Sequence, residues 1–237
     1  MKHVLIAVSL GALALPAAAQ DIDRLNVLTQ TEFRQLSEDL GAALSYKAVT
    51  PVEPLGVTGF DIGFEVTATK IENQGAWNRA TSSSSSGTLY VPKIHVHKGL
   101  PLGFDVGAFY SNIPDSNVSL WGIEARYALI EGGTATPAVG LRGSYTKLTG
   151  VSQLDLDTKA IELAISKGIL NFTPYAGVGY VVTNSTPKNV SGLSNEEFGQ
   201  SKYFVGGNFN FAVLNVDIEL DRTGDATSYG LKAGWRF

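Results

Sequence analysis

His95 and His97 stand two residues apart, with Asp105 on the next apolar run. On an extended strand, side chains at i and i+2 share a face. The pair could therefore ligate a metal, or act as a base oriented by the carboxylate. Either arrangement would suit a lipid-modifying hydrolase. Against it, no serine is tied to the histidines by a recognised motif, and the pair falls beside a short connection rather than a long polar loop. The chain is read as non-enzymatic, with no catalytic residue, metal site or cofactor.

The same spacing recurs with other titratable side chains. Asp61, Glu65, Lys93, Glu124, Arg126, Arg142, Glu162, Asp217, Glu219, Asp221, Lys232 and Arg236 occupy alternate positions of apolar runs. Over 214–222, Leu214, Val216, Ile218 and Leu220 oppose Asn215, Asp217, Glu219 and Asp221. That alternation belongs to a strand with two different faces. Charges enclosed by such strands must be paired, because an isolated buried ion costs several kcal/mol. They form either a satisfied ionic network or the lining of a narrow path for small solutes, and the pattern is identical for both.

Ten segments of period two carry these positions: 57–70, 89–98, 101–111, 118–130, 136–148, 154–167, 172–183, 202–211, 214–222 and 227–237. Connections after the second, fourth, sixth and eighth are short. Those after the first and seventh are long and polar, the first including the serine run 82–86. Such asymmetry, with an even strand number, fits a transmembrane barrel. A soluble sandwich also alternates, but its polar faces meet water. Persistent charged faces and aromatics near segment ends favour the membrane form. The expected fold is all-β: a closed antiparallel transmembrane β-barrel of about 10 strands with a short N-terminal helix. Its lumen should be narrow, since about eight strands enclose only side chains.

Ahead of the strands, Lys2 and His3 precede the apolar run 4–15 and Ala17–Ala19, the form of a signal peptide spanning 1–19. The segment 20–56 carries a capping box at Thr29 and Glu32, followed by Phe33, Leu36 and Leu40 at helical spacing. Gly41 weakens this helix, and Pro51 and Pro54 end it. The segment either plugs or caps the barrel of residues 57–237, or lies at the membrane interface, or stays disordered or partner-bound. Eleven glycines fall at inward positions, including Gly63, Gly107, Gly122, Gly140, Gly177, Gly206 and Gly230. They predict either relief of curvature or a smooth wall admitting the segment from the periplasmic side.

The final strand alternates Tyr229, Leu231, Ala233, Trp235 and Phe237 with glycine and basic residues. It resembles the C-terminal signature of bacterial outer-membrane proteins, and the layout is similar to small OmpA-like or OmpW-like barrels. The resemblance implies residence in the bacterial cell outer membrane. It also implies recognition of Tyr229, Trp235 and Phe237 by the barrel-assembly machinery.

Composition narrows the partners. The chain has no cysteine, so neither disulfides nor thiolate metal sites hold it. Loss of Lys2 with the leader reduces 18 basic residues to 17 against 22 acidic ones, which implies no nucleic-acid surface. Outer-membrane lipids and lipopolysaccharide are the expected contacts, with Arg79 and Lys188 as candidate headgroup contacts and Trp77 as a loop anchor or packing residue. A closed barrel leaves no edge to pair, so a monomer is expected. The functional expectation is a structural or interaction barrel with a narrow charged lumen. A gated conduit for small or apolar solutes is the alternative.

Overall fold

The computed structural model describes residues 21–81 and 87–237; the expected leader and the serine run lie outside them. Ten strands form the wall: β1 Phe60–Lys70, β2 Thr88–Gly99, β3 Phe104–Asn112, β4 Ser119–Ile130, β5 Ala138–Thr149, β6 Leu154–Ser166, β7 Phe172–Pro187, β8 Glu196–Phe211, β9 Leu214–Thr223 and β10 Ala226–Arg236. Each pairs antiparallel with its sequence neighbours, and β10 returns to β1 with Asp61 opposite Arg236 and Thr69 opposite Ser228. Closure satisfies the backbone within the sheet, as a lipid-embedded sheet requires.

Side chains sort by parity. In β4, Leu120, Gly122, Glu124 and Arg126 are buried, while Trp121, Ile123, Ala125 and Tyr127 are exposed. The outward set makes an apolar belt that includes Ile62, Phe64, Val106, Ile161, Val205 and Ile218. Aromatic pairs rim it, Phe104 with Tyr127 at 4.6 Å and Phe172 with Phe209 at 4.7 Å near one end, Trp121 with Tyr145 at 5.7 Å near the other. Rings at both margins of an apolar band are what the two interfaces of a bilayer select. Among the described residues, no helix is long and apolar enough to cross a membrane.

One end of the barrel, the turn end, carries the connections 100–103, 131–137, 167–171 and 212–213, together with Phe60 and Phe237. The opposite, loop end carries 71–87, 113–118, 150–153, 188–195 and 224–225. Strand limits differ from the sequence expectation at several ends, by three residues or more at the starts of β1 and β3 and where β7 meets β8. The expected polar connection 184–201 shrinks to 188–195, because β7 and β8 continue their ladder to Ser185 opposite Glu196. Strand β3 starts at Phe104 rather than 101, because Pro101–Gly103 forms a 3-10 turn with Leu102 and Gly103 at positive φ.

The helix α1 Gln30–Leu44 begins as its capping box predicts, with Thr29 N–H donating to Glu32 Oε2 at 2.8 Å and Glu32 N–H donating to Thr29 Oγ1 at 3.3 Å. It lies inside the barrel, in the half toward the loops. The expected charged lumen does not extend to that half. Leu89, Val91, Phe109, Leu120, Leu148 and Leu156 point inward and join Phe33, Leu36 and Leu40 in one buried apolar cluster. The inner wall is greasy where a greasy helix face meets it.

Gly41 also acquires a reason. A Cβ there would overlap the side chain of Thr183 on β7, so the glycine that weakens the helix permits its close approach to the wall. One turn earlier, Ser37 and Ser185 hydroxyls lie 2.7 Å apart.

The glycine wall is a correction too. A Cβ at Gly122 would strike the ring of Phe109, at Gly177 that of Phe204, at Gly206 that of Tyr175, and at Gly107 that of His97. Cβ atoms at Gly63 and Gly179 would meet Lys232 and Glu162 at 2.8 and 2.7 Å. These glycines let long side chains of neighbouring strands lie flat across them. Of the seven glycines named above, Gly140 and Gly230 face the N-terminal segment, against Val52 and Val49.

Candidate functional site: the filled bore

The candidate site is the bore with the chain that runs through it. At the loop end, Ile22 bridges Thr81, and both its backbone groups engage Asn117, N–H to Oδ1 at 3.1 Å and C=O from Nδ2 at 3.2 Å. Asp23 and Arg24 donate to the carbonyl of Ala80, and Leu25 N–H donates to Gln153 at 2.9 Å. Three connections thus clasp residues 22–25. From there α1 descends, and residues 45–59 continue to the turn end and into β1.

The stretch 71–81 folds over the helix. It contains α2 Gln74–Ala80, and Trp77 on it is buried rather than presented to the medium. Its indole N–H donates to Asp39 on α1 at 3.0 Å, and Asn73 N–H donates to the same carboxylate at 2.9 Å. Burial pushes the Asp39 carboxyl above its ordinary range, opposed by these donors. Arg79 pairs with Glu32 at 2.8 Å, and Lys188 with Asp155 at 2.7 Å, so both candidate headgroup contacts already have carboxylate partners.

Toward the turn end the inward face is ionic. All fifteen residues singled out by parity lie on this inner face, and fourteen of them are buried, Arg236 being partly exposed. All but Glu219 join one of two chains of contacts or a separate trio. In one, Glu124 receives His97 at 3.0 Å, Arg126 at 3.1 Å and Arg142 at 3.2 Å. Arg142 continues to Glu162 at 2.8 Å, Glu162 to Lys202 at 2.7 Å, and Lys202 to Asp221 at 3.6 Å. In the other, Asp61 holds Arg236 at 2.6 Å and Lys232 at 3.2 Å, and Lys232 reaches Asp217 at 3.6 Å. Glu65 takes both Lys93 and His95 at 2.6 Å. Glu219 is buried beside Asp217 and Asp221 on the inner face of β9.

The histidines therefore have partners other than the expected one. His95 and His97 face Glu65 and Glu124, whereas Asp105 meets Arg126 at 3.7 Å and accepts from Leu55 N–H at 3.1 Å. Both histidine side chains are fully enclosed. Among the described residues, no three His, Cys, Asp or Glu side chains are grouped to hold a metal.

The bases also reach the threaded segment. Lys202 donates to the carbonyl of Tyr46 at 2.7 Å, Lys232 to that of Val49 at 3.4 Å, and Arg126 to that of Pro51 at 3.2 Å. Lys47, from the segment itself, donates to Ala42 C=O at 2.6 Å and lies 3.6 Å from Asp221. Arg236 bonds Thr50. An extended chain leaving a helix has carbonyls with no sheet partner, and each buried one needs a donor. Tyr46 completes the packing, its ring 5.1 Å from Phe109 and its hydroxyl 3.5 Å from His97 Nε2.

Sequence reasoning passed over Lys202, Lys47 and Tyr46. Lys202 shares parity with the inward Gly206 and was legible in principle, but it sits at the edge of a segment read as loop. Lys47 and Tyr46 follow no period.

No protein-family model matches the chain, and no curated protein does. Among solved structures, the loop-L8 deletion mutant of OmpT from Vibrio cholerae is similar at 15% identity and a TM-score of 0.33 over 62% of this chain. The chain spans 54% of that protein, about half its length. Ail, the attachment invasion locus protein of Yersinia pestis, is similar at 13% identity and a TM-score of 0.31, covering 76% of this chain and 98% of its own. The β domain of the Bordetella autotransporter BrkA is similar at 10% identity and a TM-score of 0.45, covering 76% and 99%. The barrel is established by its own strand pairing, independently of these likenesses.

Proposed function

We propose that this protein is a non-enzymatic outer-membrane β-barrel with a structural or interaction role, its bore closed by its own residues 22–55. The observation that carries this reading is the occupancy of the bore from end to end. The helix is seated on an apolar patch in the loop-end half. Below it, lysine and arginine side chains hold the carbonyls of the extended stretch. A segment so anchored is part of the wall's own interior packing, and solute flux would require those contacts to break together.

In this reading the loop end faces the medium and the turn end faces the periplasm, as short turns and longer external loops dictate in bacterial barrels. Residues 1–19 act as the cleaved leader. Tyr229, Trp235 and Phe237, all exposed on the outer face, serve recognition by the assembly machinery, and lipid and lipopolysaccharide cover the belt. The barrel works as a monomer. Orientation is open to a direct check, because the chain has no native cysteine. Asp23 is exposed at the loop end and Leu170 is fully exposed at the turn end. A membrane-impermeant maleimide should label Asp23→Cys in intact cells, and Leu170→Cys only after the outer membrane is opened. The reverse pattern would refute the assignment of sides.

Closure itself is tested by a tether. The Ser37 and Ser185 hydroxyls are close enough for Ser37→Cys and Ser185→Cys to form a disulfide between α1 and β7. Purified, oxidised protein in a planar bilayer should show no single-channel steps, and reduction should leave it silent. Steps that appear on reduction and vanish on reoxidation would replace this reading with a gated conduit.

A further inference from the structure

Strand β8 outruns one of its neighbours. Its ladder with β9 begins at Lys202 opposite Thr223, whereas its ladder with β7 continues to Glu196 opposite Ser185. Residues 196–201 are therefore an edge at the loop end, beyond the 224–225 turn that joins β9 to β10. The carbonyl of Ser201 accepts from Gly224 N–H at 2.9 Å, so it points away from β7. Backbone direction repeats every second residue. The N–H and C=O groups of Glu197 and Gly199 thus point the same way, where no strand among the described residues lies beside them. Glu197, Gly199 and Ser201 are all exposed.

An edge of this kind is a template for another strand unless it is blunted. The comparable overhang of β2, residues 88–93 beyond its ladder with β3, contains Pro92, which has no N–H to offer. The β8 edge contains no proline. Beside it lies a cleft of about 580 Å³ lined in part by Gln35, Glu38, Asp39, Glu72, Gln200 and Asp225. Among the described residues, no lysine or arginine lines that cleft. Around cleft and edge stand six carboxylates, Glu38, Asp39, Glu72, Glu196, Glu197 and Asp225. Arg34 reaches Glu38 and Glu196 at 2.8 and 3.0 Å, and Arg222 reaches Asp225 at 3.7 Å. Two guanidiniums leave most of that charge uncompensated.

We propose that the β8 edge binds an extended peptide bearing lysine or arginine, which adds as a further strand. Its backbone pairs with Glu197 and Gly199, and its basic side chains lie over the acidic cleft. Strand addition takes its affinity from main-chain hydrogen bonds and its selectivity from the side-chain sites alongside. A second copy of this chain fits poorly, because its own β8 edge carries Glu196 and Glu197 and no lysine or arginine to lay over the acidic cleft. The inference gives the interaction role its partner class and rests on that reading only for the side of the membrane. Conductance tests one and peptide binding the other.

The probe is a fluorescent peptide of alternating lysine and valine, titrated by anisotropy against the full protein in phospholipid nanodiscs. Saturable binding is expected. Methylating the peptide nitrogens on its pairing edge should weaken it about tenfold, a loss of about 1.4 kcal/mol. Glu197→Pro removes an N–H that β7 does not use and should weaken binding similarly, with Glu197→Gln as the control for charge alone. Glu72→Gln with Asp225→Asn should weaken it without altering the folded barrel's electrophoretic mobility. Absence of saturable binding, full affinity of the methylated peptide, or complete displacement by spermine at equal charge would overturn the proposal. The methylated peptide decides the matter even if Glu197→Pro fails to fold. Dimers cross-linked through this edge would overturn it in favour of self-association.

Discussion

Glu124→Gln should destabilise the barrel by about 3–5 kcal/mol, the cost of removing one partner from a buried ionic group. The amide keeps the shape of the carboxylate and discards its charge. His97, Arg126 and Arg142 then converge on a neutral group at the distances that now serve an anion. Urea unfolding in phospholipid vesicles, followed by the mobility shift between folded and unfolded forms, measures the loss. Adding Arg126→Met to Glu124→Gln should recover part of it, because the cost lies in stranded charge rather than in a missing contact. A single variant as stable as its parent would show that the ionic chain is wet, and with it that the bore is less filled than its geometry implies.

The second large effect belongs to the apolar half. Phe33 is fully buried on the first turns of α1, and truncating such a ring leaves a cavity that costs about 3–5 kcal/mol. Phe33→Ala should act locally. The wall keeps its ladder, while the helix loses much of what seats it against Leu36's cluster of strand leucines. Hydrogen exchange should rise sharply at α1 amides and stay unchanged along β4 and β5. Uniform acceleration through helix and wall would mean that segment and barrel open as one unit. Unaltered exchange everywhere would mean that Phe33 contributes little to seating.

What could be read from residue order divides along a physical line. The capping box at Thr29 and Glu32, the face change along Leu214–Asp221 and the inward set from Asp61 to Arg236 are local periodic signals, and each was legible. Lengths of β7 and β8 were obscured because Asn184, Pro187, Glu196 and Glu197 give a strand the composition of a loop. The greasy patch of Leu89, Val91 and Leu148 was hidden for another reason. Its logic depends on which segment lies inside the barrel, a long-range fact that no window of sequence contains. The same holds for Tyr46, for Lys47, and for the Asp39 to Trp77 hydrogen bond across 38 positions. Asp105 was placed correctly on the wall, but nearness in sequence suggested histidine as its partner, whereas the ladder sets it opposite Gly99 on β2 and Arg126 on β4.

The clasp on Ile22 and Leu25 has a bearing on biogenesis. The chain that feeds β1 at one mouth is held at the other, so the segment crosses the whole bore with its N-terminal end leading. Either the seam between β1 and β10 zips shut around it, or that end threads the finished cylinder as an unfolded strand. Any folded unit joined ahead of Asp21 would have to make that passage before the seam closes, or wait unfolded until it does.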